Sequence, residues 1–480
     1  MTEHQKLKKQ VIQGSFWIFS ANIISRGISL LSTLFLARLL TPEDFGVIGY
    51  GFLIVSAVGL LREMGFNSAL IYQKSNIEKA ASSSLIFIFL WSLLLYLIVL
   101  LTAPVAAVFF REPRLTPLLR VLTFSLVLNS LAGIPMSLLA KDMNFKRRVI
   151  PEVINLTVYG VVTVIFAFLG FKYWAFVIGV LTADAFQLFA AYLLRPVKIE
   201  LKVDFKLLRD LFGFGRNVMA LGMLNFSIHN IDDFFVGRML GTTPLGIYNF
   251  AYRIANIPAT NITNVLDKVL YPTFAKIASD TRKLRDAFLK SFEYVIFLTI
   301  PATLYIILII PDVINLFFPK WIDAILPIQL IAYFGGIRSI GSGTSSVFLA
   351  KGKPDVMVPI SLTQLIFLAV FLYPVIHFWG LIGVCILVNA SITISFVWSF
   401  IKLKPLIELK LLSIIDIIKL PLLFSLLILL LLFAVDNVLA VEWKYFSVVM
   451  KIGGFPLVYF IAALLFTKVP GNMIRDFFNK

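Results

Sequence analysis

The 480 residues hold one cysteine and three histidines, and only 14% of them are charged. Cys385 lies in an apolar run, so neither a disulfide framework nor a thiolate metal cluster can be built from this chain alone. His4, His229 and His377 are widely separated and carry no HExxH or comparable spacing, so no metal site is expected. The phosphate-binding pattern GxxxxGK[ST] is absent, which removes support for ATP hydrolysis by this chain. No stretch between apolar runs is long enough to fold as a soluble domain bearing paired catalytic carboxylates, so an enzyme is not expected.

What is abundant is apolar surface: 59% of the residues are hydrophobic, 46 are phenylalanine, and the mean hydropathy is +0.93. No water-soluble core of this size needs so much, so a multi-spanning integral membrane protein is expected. Apolar runs of about 17–25 residues indicate helices, because a helix satisfies its own backbone hydrogen bonds in lipid. Fourteen candidate spans follow, at about 11–37, 45–71, 81–103, 115–140, 151–170, 172–194, 212–236, 244–272, 288–310, 326–350, 356–376, 380–400, 413–434 and 446–467. Met1 to Gln10 is polar and basic and runs into a segment too long for a signal-peptide core, so targeting through the first span is expected.

The net charge of +17 is distributed by topology rather than gathered for nucleic acid. With the N-terminus placed inside, 31 of the 43 lysines and arginines fall in inside segments and 8 in outside ones. That alternation follows the positive-inside rule, and a miscounted helix would scramble it. Both termini are therefore expected in the cytoplasm of a bacterial-type cell, with the protein in the inner membrane.

Shifting the chain by 200 residues lays ARLLTPEDFGVIGYGFLI (Ala37 to Ile54) over GRMLGTTPLGIYNFAYRI (Gly237 to Ile254). Arg38/Arg238, Leu40/Leu240, Gly46/Gly246 and Ile54/Ile254 match without a gap, and Ile28/Ile228 extends the register. Span 7 then repeats span 1, so each unit has six helices. An even count gives both halves the same orientation, related by an axis along the membrane normal. The expected architecture is an all-α polytopic protein of about 14 transmembrane helices, two six-helix lobes related by a pseudo-two-fold, plus two C-terminal helices. Its divisions are an N-terminal lobe over 1–194, a cytoplasmic linker over 195–216, a C-terminal lobe over 212–402, and spans 13 and 14 with the C-terminus over 403–480.

Charges inside the spans mark the candidate site. Arg26 sits within the first span, where a charge costs at least about 2.5–3.5 kcal/mol and is rarely idle. It shares a helical face with Asn22, Ser29 and Thr33. That polar stripe either salt-bridges to an acidic residue of the same lobe or forms an anion-attracting wall, since guanidinium pairs well with phosphate. In span 7, Asn225, His229 and Asp232 lie on one face, with Asp233 beside them. One aspartate is a candidate to hold a proton or sodium ion, or the pair neutralises Arg238 or Arg253. Arg253 follows two tyrosines in span 8, and Arg338 lies among small residues in GGIRSIGSGTSS (Gly335 to Ser346), which either pack closely or line a cavity. Glu63, beside Arg62 at the end of span 2, and Asp184 in span 6 are the remaining carboxylate candidates.

With GSFWIFSANIISRGISLLSTLFLARLLTPEDFGVIGY, LREMGFNSALIYQK and DDFFVGRMLGTTPLGIYNFAYRIANIP quoted from the two halves, the chain resembles the Wzx-type polysaccharide flippases of the multidrug/oligosaccharidyl-lipid/polysaccharide transporter superfamily. The resemblance covers about the first twelve spans. It implies two lobes around a cavity that opens alternately inward and outward, and a cargo of oligosaccharide on polyprenyl pyrophosphate. It implies pyrophosphate contacts at Arg26, then Arg338 and Arg253, with Asn22, Asn225 and His229 lining the cavity. Coupling to H+ or Na+ would fall on Asp232, Asp233, Glu63 or Asp184, with no other cofactor. Partners would be the lipid-linked oligosaccharide, the bilayer and polysaccharide polymerase or export proteins, and no nucleic acid. The alternatives are a multidrug or other lipid-precursor exporter of the same architecture, or a membrane glycan polymerase or glycosyltransferase. An acidic, arginine-poor cavity would favour drug cations, and a large extracytoplasmic loop would favour the enzymes.

Overall fold

The computed structural model describes residues 27–73, 76–142, 144–200, 203–257, 270–439, 451, 453–461 and 469. Among the described residues every regular element is helical and no strand occurs. The helices are α1 (Gly27–Leu39), α2 (Pro42–Glu63), α3 (Phe66–Tyr72), α4 (Ile77–Phe110), α5 (Leu115–Leu122), α6 (Phe124–Lys141), α7 (Phe145–Phe168) and α8 (Trp174–Leu194). They continue with α9 (Phe205–Leu240), α10 (Thr242–Ala255), α11 (Thr281–Phe317), α12 (Ile325–Ala350), α13 (Met357–Ile407) and α14 (Leu411–Leu439). Nine stretches among the described residues are long and apolar enough to cross a membrane. α4 alone, at 34 residues, runs about 51 Å, more than the roughly 30 Å of a hydrocarbon core. Its Leu101, Val105 and Val108 are exposed, as a lipid-facing surface requires.

The expected break between spans 11 and 12 falls inside α13 at Gly380. Its φ of 56° and ψ of −144° lie where a side chain is disfavoured. α9 covers span 7 and is less apolar than its neighbours, because Arg209, Asp210, Arg216, Asp232, Asp233 and Arg238 all lie within it. The chain divides into two compact units, Met1–Gly246 and Ile247–Lys480.

In the first unit, α2 starts from a local signal. Thr41 caps it: the Thr41 amide and hydroxyl donate to Asp44 Oδ2 at 3.1 and 2.8 Å, and the Asp44 amide donates to Thr41 Oγ1 at 3.3 Å. This capping box explains why an aspartate is buried there, and Pro42 takes the first helical position, where its missing N–H is no loss. α2 ends at Met64 and Gly65, both at positive φ, and α3 leaves in a new direction. α5 buries Leu115, Leu118, Leu119 and Leu122, one face at helical spacing. Gly51 of α2 sits so close to Leu118 and Leu122 that a Cβ there would meet them at 2.5 and 2.8 Å. A second apolar cluster joins Phe66, Leu70, Leu85, Ile134, Leu138 and Leu208, tying α3, α4, α6 and α9.

The 200-residue register holds at the helix starts, Pro42 for α2 and Thr242 for α10. These related turns also meet each other reciprocally. A Cβ on Gly46 would lie 1.8 Å from the Thr242 carbonyl oxygen, and one on Gly246 would lie 1.8 Å from that of Pro42. Tyr50, fully buried, donates its hydroxyl to the Gly237 carbonyl at 2.8 Å, closing the seam. At the same end, Arg114 binds Glu112 through Nε at 2.6 Å and Nη2 at 2.7 Å, and Glu43 through Nη2 at 2.6 Å. The Thr242 hydroxyl donates to Glu112 Oε2 at 2.7 Å.

Burial alone would push the Glu112 carboxyl up, but the bonds from Arg114 and Thr242 outweigh it and hold the group below the usual glutamate value. A depressed folded-state value means that the stabilisation is complete above the ordinary glutamate range and is lost as pH falls through the lowered value. Melting curves of wild type and Glu112→Gln in detergent should therefore differ at neutral pH and converge as the medium becomes acidic. A gap that widens on acidification would contradict this assignment.

In the second unit, Phe288 and Phe292 of α11 pack on Phe400 of α13, with Leu403 and Ile407 completing the cluster. Gly335 and Gly336 of α12 serve close approach. A Cβ on the first would meet the Ala255 carbonyl at 2.5 Å, and one on the second would meet Thr303 Oγ1 at 2.8 Å. Residues 453–461 dock on α11, where Tyr459 donates to the Phe297 carbonyl at 3.0 Å and Phe455 stacks on Tyr305. Lys451 reaches Asp312 Oδ2 at 2.7 Å, and its side chain is only 8% exposed. Removing one partner of a buried pair costs about 3–5 kcal/mol, whereas replacing both with apolar groups is often neutral. Asp312→Ala should thus lower the thermal midpoint clearly, and Asp312→Leu with Lys451→Met should restore most of it. Equal losses in the two variants would show that the ion pair is not what holds this segment.

Candidate functional site

The first unit contains a polar cavity of about 260 Å³ between α2, α3, α6, α7 and α8. Arg62 stands in the last turn of α2, where a cation suits the helix dipole. Its Nη2 binds Glu63 Oε1 at 2.6 Å, and Nη1 donates to the Leu126 carbonyl at 3.5 Å. Trp91 donates its indole N–H to the Leu61 carbonyl at 2.9 Å and so fixes the end of α2. Arg148 and Glu152, also in the lining, form a second pair on α7, 3.6 Å apart. Asn67, Ser68, Asn129, Ser137 and Gln187 supply amides and hydroxyls between the two pairs. Gly133 makes room for the Asn67 amide, which lies 3.1 Å from where a Cβ would stand.

Beside the cavity, α6, α7 and α8 meet at a buried carboxylate. Asp184, 8% exposed, accepts from Asn129 Nδ2 at 2.7 Å and from Asn155 Nδ2 at 3.0 Å. Asn129 also lines the cavity, and Gln187 lies one helical turn from Asp184, so carboxylate and cavity form one polar region inside apolar helices. The paired donors suit an ionised carboxylate, and the same oxygens can take a proton or a small cation.

Of the residues expected from sequence, Glu63 and Asp184 are brought into this region. Arg26 and Asn22 lie outside the described residues. On α9, Asp232 is buried, and the Asp233 amide donates to Asp232 Oδ1 at 3.1 Å. Asp233 Oδ1 is buried and accepts no hydrogen bond from a described residue. Asn225 and His229 are exposed on the same helix. Arg238 lies over the Phe109 ring, 5.0 Å from its centroid, a cation–π contact. Arg253 is exposed and Arg338 half-buried, both in the second unit. Arg62, Arg148, Glu152, Asn67, Asn129, Asn155 and Gln187 were not singled out from sequence. A signal existed for four of them: Asn67, Asn129, Asn155 and Gln187 are amides within candidate spans 2, 4, 5 and 6, as conspicuous there as the charges.

The sequence profile of a family described as polysaccharide biosynthesis protein matches residues 35–326. The lipopolysaccharide biosynthesis protein WzxC of Escherichia coli K12 is 26% identical over 73% of this chain and 72% of its own. The teichuronic acid biosynthesis protein TuaB of Bacillus subtilis is 24% identical over 73% of each chain. Among solved structures, the lipid II flippase MurJ in an inward closed conformation superimposes with a TM-score of 0.73 at 18% identity, covering 94% of this chain and 98% of that one. An inward-facing multidrug transporter of the MATE family gives 0.64 at 18% identity, covering 79% and 95%. Those likenesses carry the fold alone, an all-α multi-pass membrane architecture shared with the MurJ and MATE-family structures. The match over residues 35–326 carries the family: the chain belongs to the family described as polysaccharide biosynthesis protein.

Proposed function

We propose that this protein is a flippase that moves polyprenyl-pyrophosphate-linked oligosaccharide units from the cytoplasmic to the outer leaflet by alternating access, coupled to a proton or sodium gradient. The observation that carries the reading is the charged, amide-lined cleft open between apolar helices, with Asp184 beside it. A polar head group on a long apolar tail needs such a hydrated pocket within a lipid-facing body. The names of WzxC and TuaB, proteins of lipopolysaccharide and teichuronic acid biosynthesis, and of MurJ, a lipid II flippase, support a glycan-bearing lipid as cargo. In this reading both termini are cytoplasmic, as the basic loops suggest. The lobes are 1–194 and 212–402, joined by 195–216, with 403–480 appended and a polymerase or export system downstream. Arg26, with Arg338 and Arg253, meets the pyrophosphate, and Asp184 or the Asp232 and Asp233 pair takes the coupling ion.

The test is the sidedness of polyprenyl-linked glycans in cells lacking the protein, read with an enzyme probe confined to the outer leaflet. Accumulation of probe-resistant glycan is the expected result, and unchanged outward display would turn attention to drug efflux or another lipid cargo. Arg26→Ala is expected to abolish restoration of outward display while inserting normally, and Arg26→Lys to retain part of it. Full restoration by Arg26→Ala would remove that residue from the site.

A further inference from the structure

We infer that the cavity of the first unit is a subsite for one neutral sugar ring of the cargo, not for its pyrophosphate. The inference rests on the flippase reading and adds to it which part of the head group enters here.

Volume is the first argument. Ligand pockets usually span about 300–1,000 Å³, and this open cleft, at about 260 Å³, holds about one small ring, leaving the rest of a repeat unit to extend through its open side. Charge is the second. The two guanidinium groups of the lining, Arg62 and Arg148, each already face a carboxylate, Glu63 at 2.6 Å and Glu152 at 3.6 Å, so the walls are balanced. A pyrophosphate entering would set its own negative charge against both glutamates, and it can only accept hydrogen bonds. A sugar ring brings no charge, and each of its hydroxyls both donates and accepts.

The third argument is unspent hydrogen-bonding capacity. Asn67 on α3 and Gln187 on α8 line the cavity, and neither makes a hydrogen bond to a described residue. A side-chain amide offers an N–H donor beside a carbonyl acceptor, the complement of two neighbouring hydroxyls. An oxyanion would offer no donor to the amide carbonyls, of which Asn67 Oδ1 is buried and accepts no hydrogen bond from a described residue. Guanidinium–carboxylate pairs present the same alternation on the other walls, so every polar element of the lining suits vicinal hydroxyls.

The experiment uses the purified full-length protein in nanodiscs and saturation-transfer NMR with a panel of methyl hexosides and methyl N-acetylhexosaminides. Inorganic pyrophosphate is the competitor. At least one glycoside should receive saturation at its ring protons, pyrophosphate at equal concentration should not displace it, and Asn67→Leu and Gln187→Met should each weaken the signal at least tenfold. Both substitutions are close in volume, and melting curves matching wild type will show that the fold is kept. Absence of transfer to any glycoside, displacement by pyrophosphate, or signals indifferent to both substitutions would each overturn the subsite. The sidedness assay reads the flippase proposal separately. Disturbed sidedness without glycoside binding sinks only the subsite, whereas glycoside binding with undisturbed sidedness sinks the flippase and leaves a sugar site that serves no flipped cargo.

Discussion

Alanine at Gly46 is expected to lower the thermal midpoint of the protein sharply, and alanine at Gly246 to do the same. At both positions the new Cβ would stand 1.8 Å from a backbone carbonyl oxygen, that of Thr242 in one case and of Pro42 in the other. A side chain in the way can change rotamer, but a carbonyl at the first turn of a helix moves only with its helix. Overpacking of a core costs about 1–3 kcal/mol when side chains can yield, and more is expected where backbone must shift. The same seam carries the buried Tyr50 bond to Gly237 and the Thr242 bond to Glu112, so separation of the turns strains those contacts as well. Gly59 is the control. It lies within α2, its Cβ would meet only Leu126 Cδ2 at an ordinary 3.8 Å, and alanine there should gain about 0.5–1 kcal/mol of helix stability. The two seam substitutions share one interface and should fall short of additivity when combined. Midpoints of Gly46→Ala and Gly59→Ala that move together would show that the reciprocal approach of α2 and α10 does not constrain the fold.

Asp184→Asn should keep the fold and reduce transport at least tenfold, with the remaining flux indifferent to an imposed proton or sodium gradient. The carboxylate is buried where α6, α7 and α8 converge, and two asparagine amides donate to it. Asparagine preserves shape and one acceptor but can neither bind a proton at working pH nor supply a full negative charge to a cation. Asp184→Leu adds a different penalty. It removes the acceptor of Asn155 and one of the two acceptors of Asn129, which keeps the Ser125 carbonyl, and should lower the thermal midpoint, which separates a structural loss from a loss of coupling. Flux into vesicles with and without each gradient is the measurement. Gradient-driven transport at the wild-type rate in Asp184→Asn would clear Asp184 of coupling and leave Glu63 and the Asp232 and Asp233 pair on α9 as the candidates.

Much of this architecture is written in local sequence. Apolar length decides that the chain is helical and multi-spanning, because unpaired backbone groups are intolerable in lipid. Thr41, Pro42 and Asp44 mark where α2 begins, and Gly380 marks the break in α13, since these signals act over one turn. The 200-residue repeat was legible too, because matched arginine and glycine positions survive in register. What the repeat does in space was not legible. Only the tertiary structure sets Gly46 against Thr242 and Gly246 against Pro42. It also brings Asn129 to Asp184 across 55 positions of sequence and places Arg62 and Arg148 in the lining of one cavity. Periodicity gives the faces of a helix, but a chain apolar on nearly every face leaves open which face meets which neighbour. That choice is made by close packing, through glycines that admit a backbone and amides that find a carboxylate, and it is a property of several helices at once.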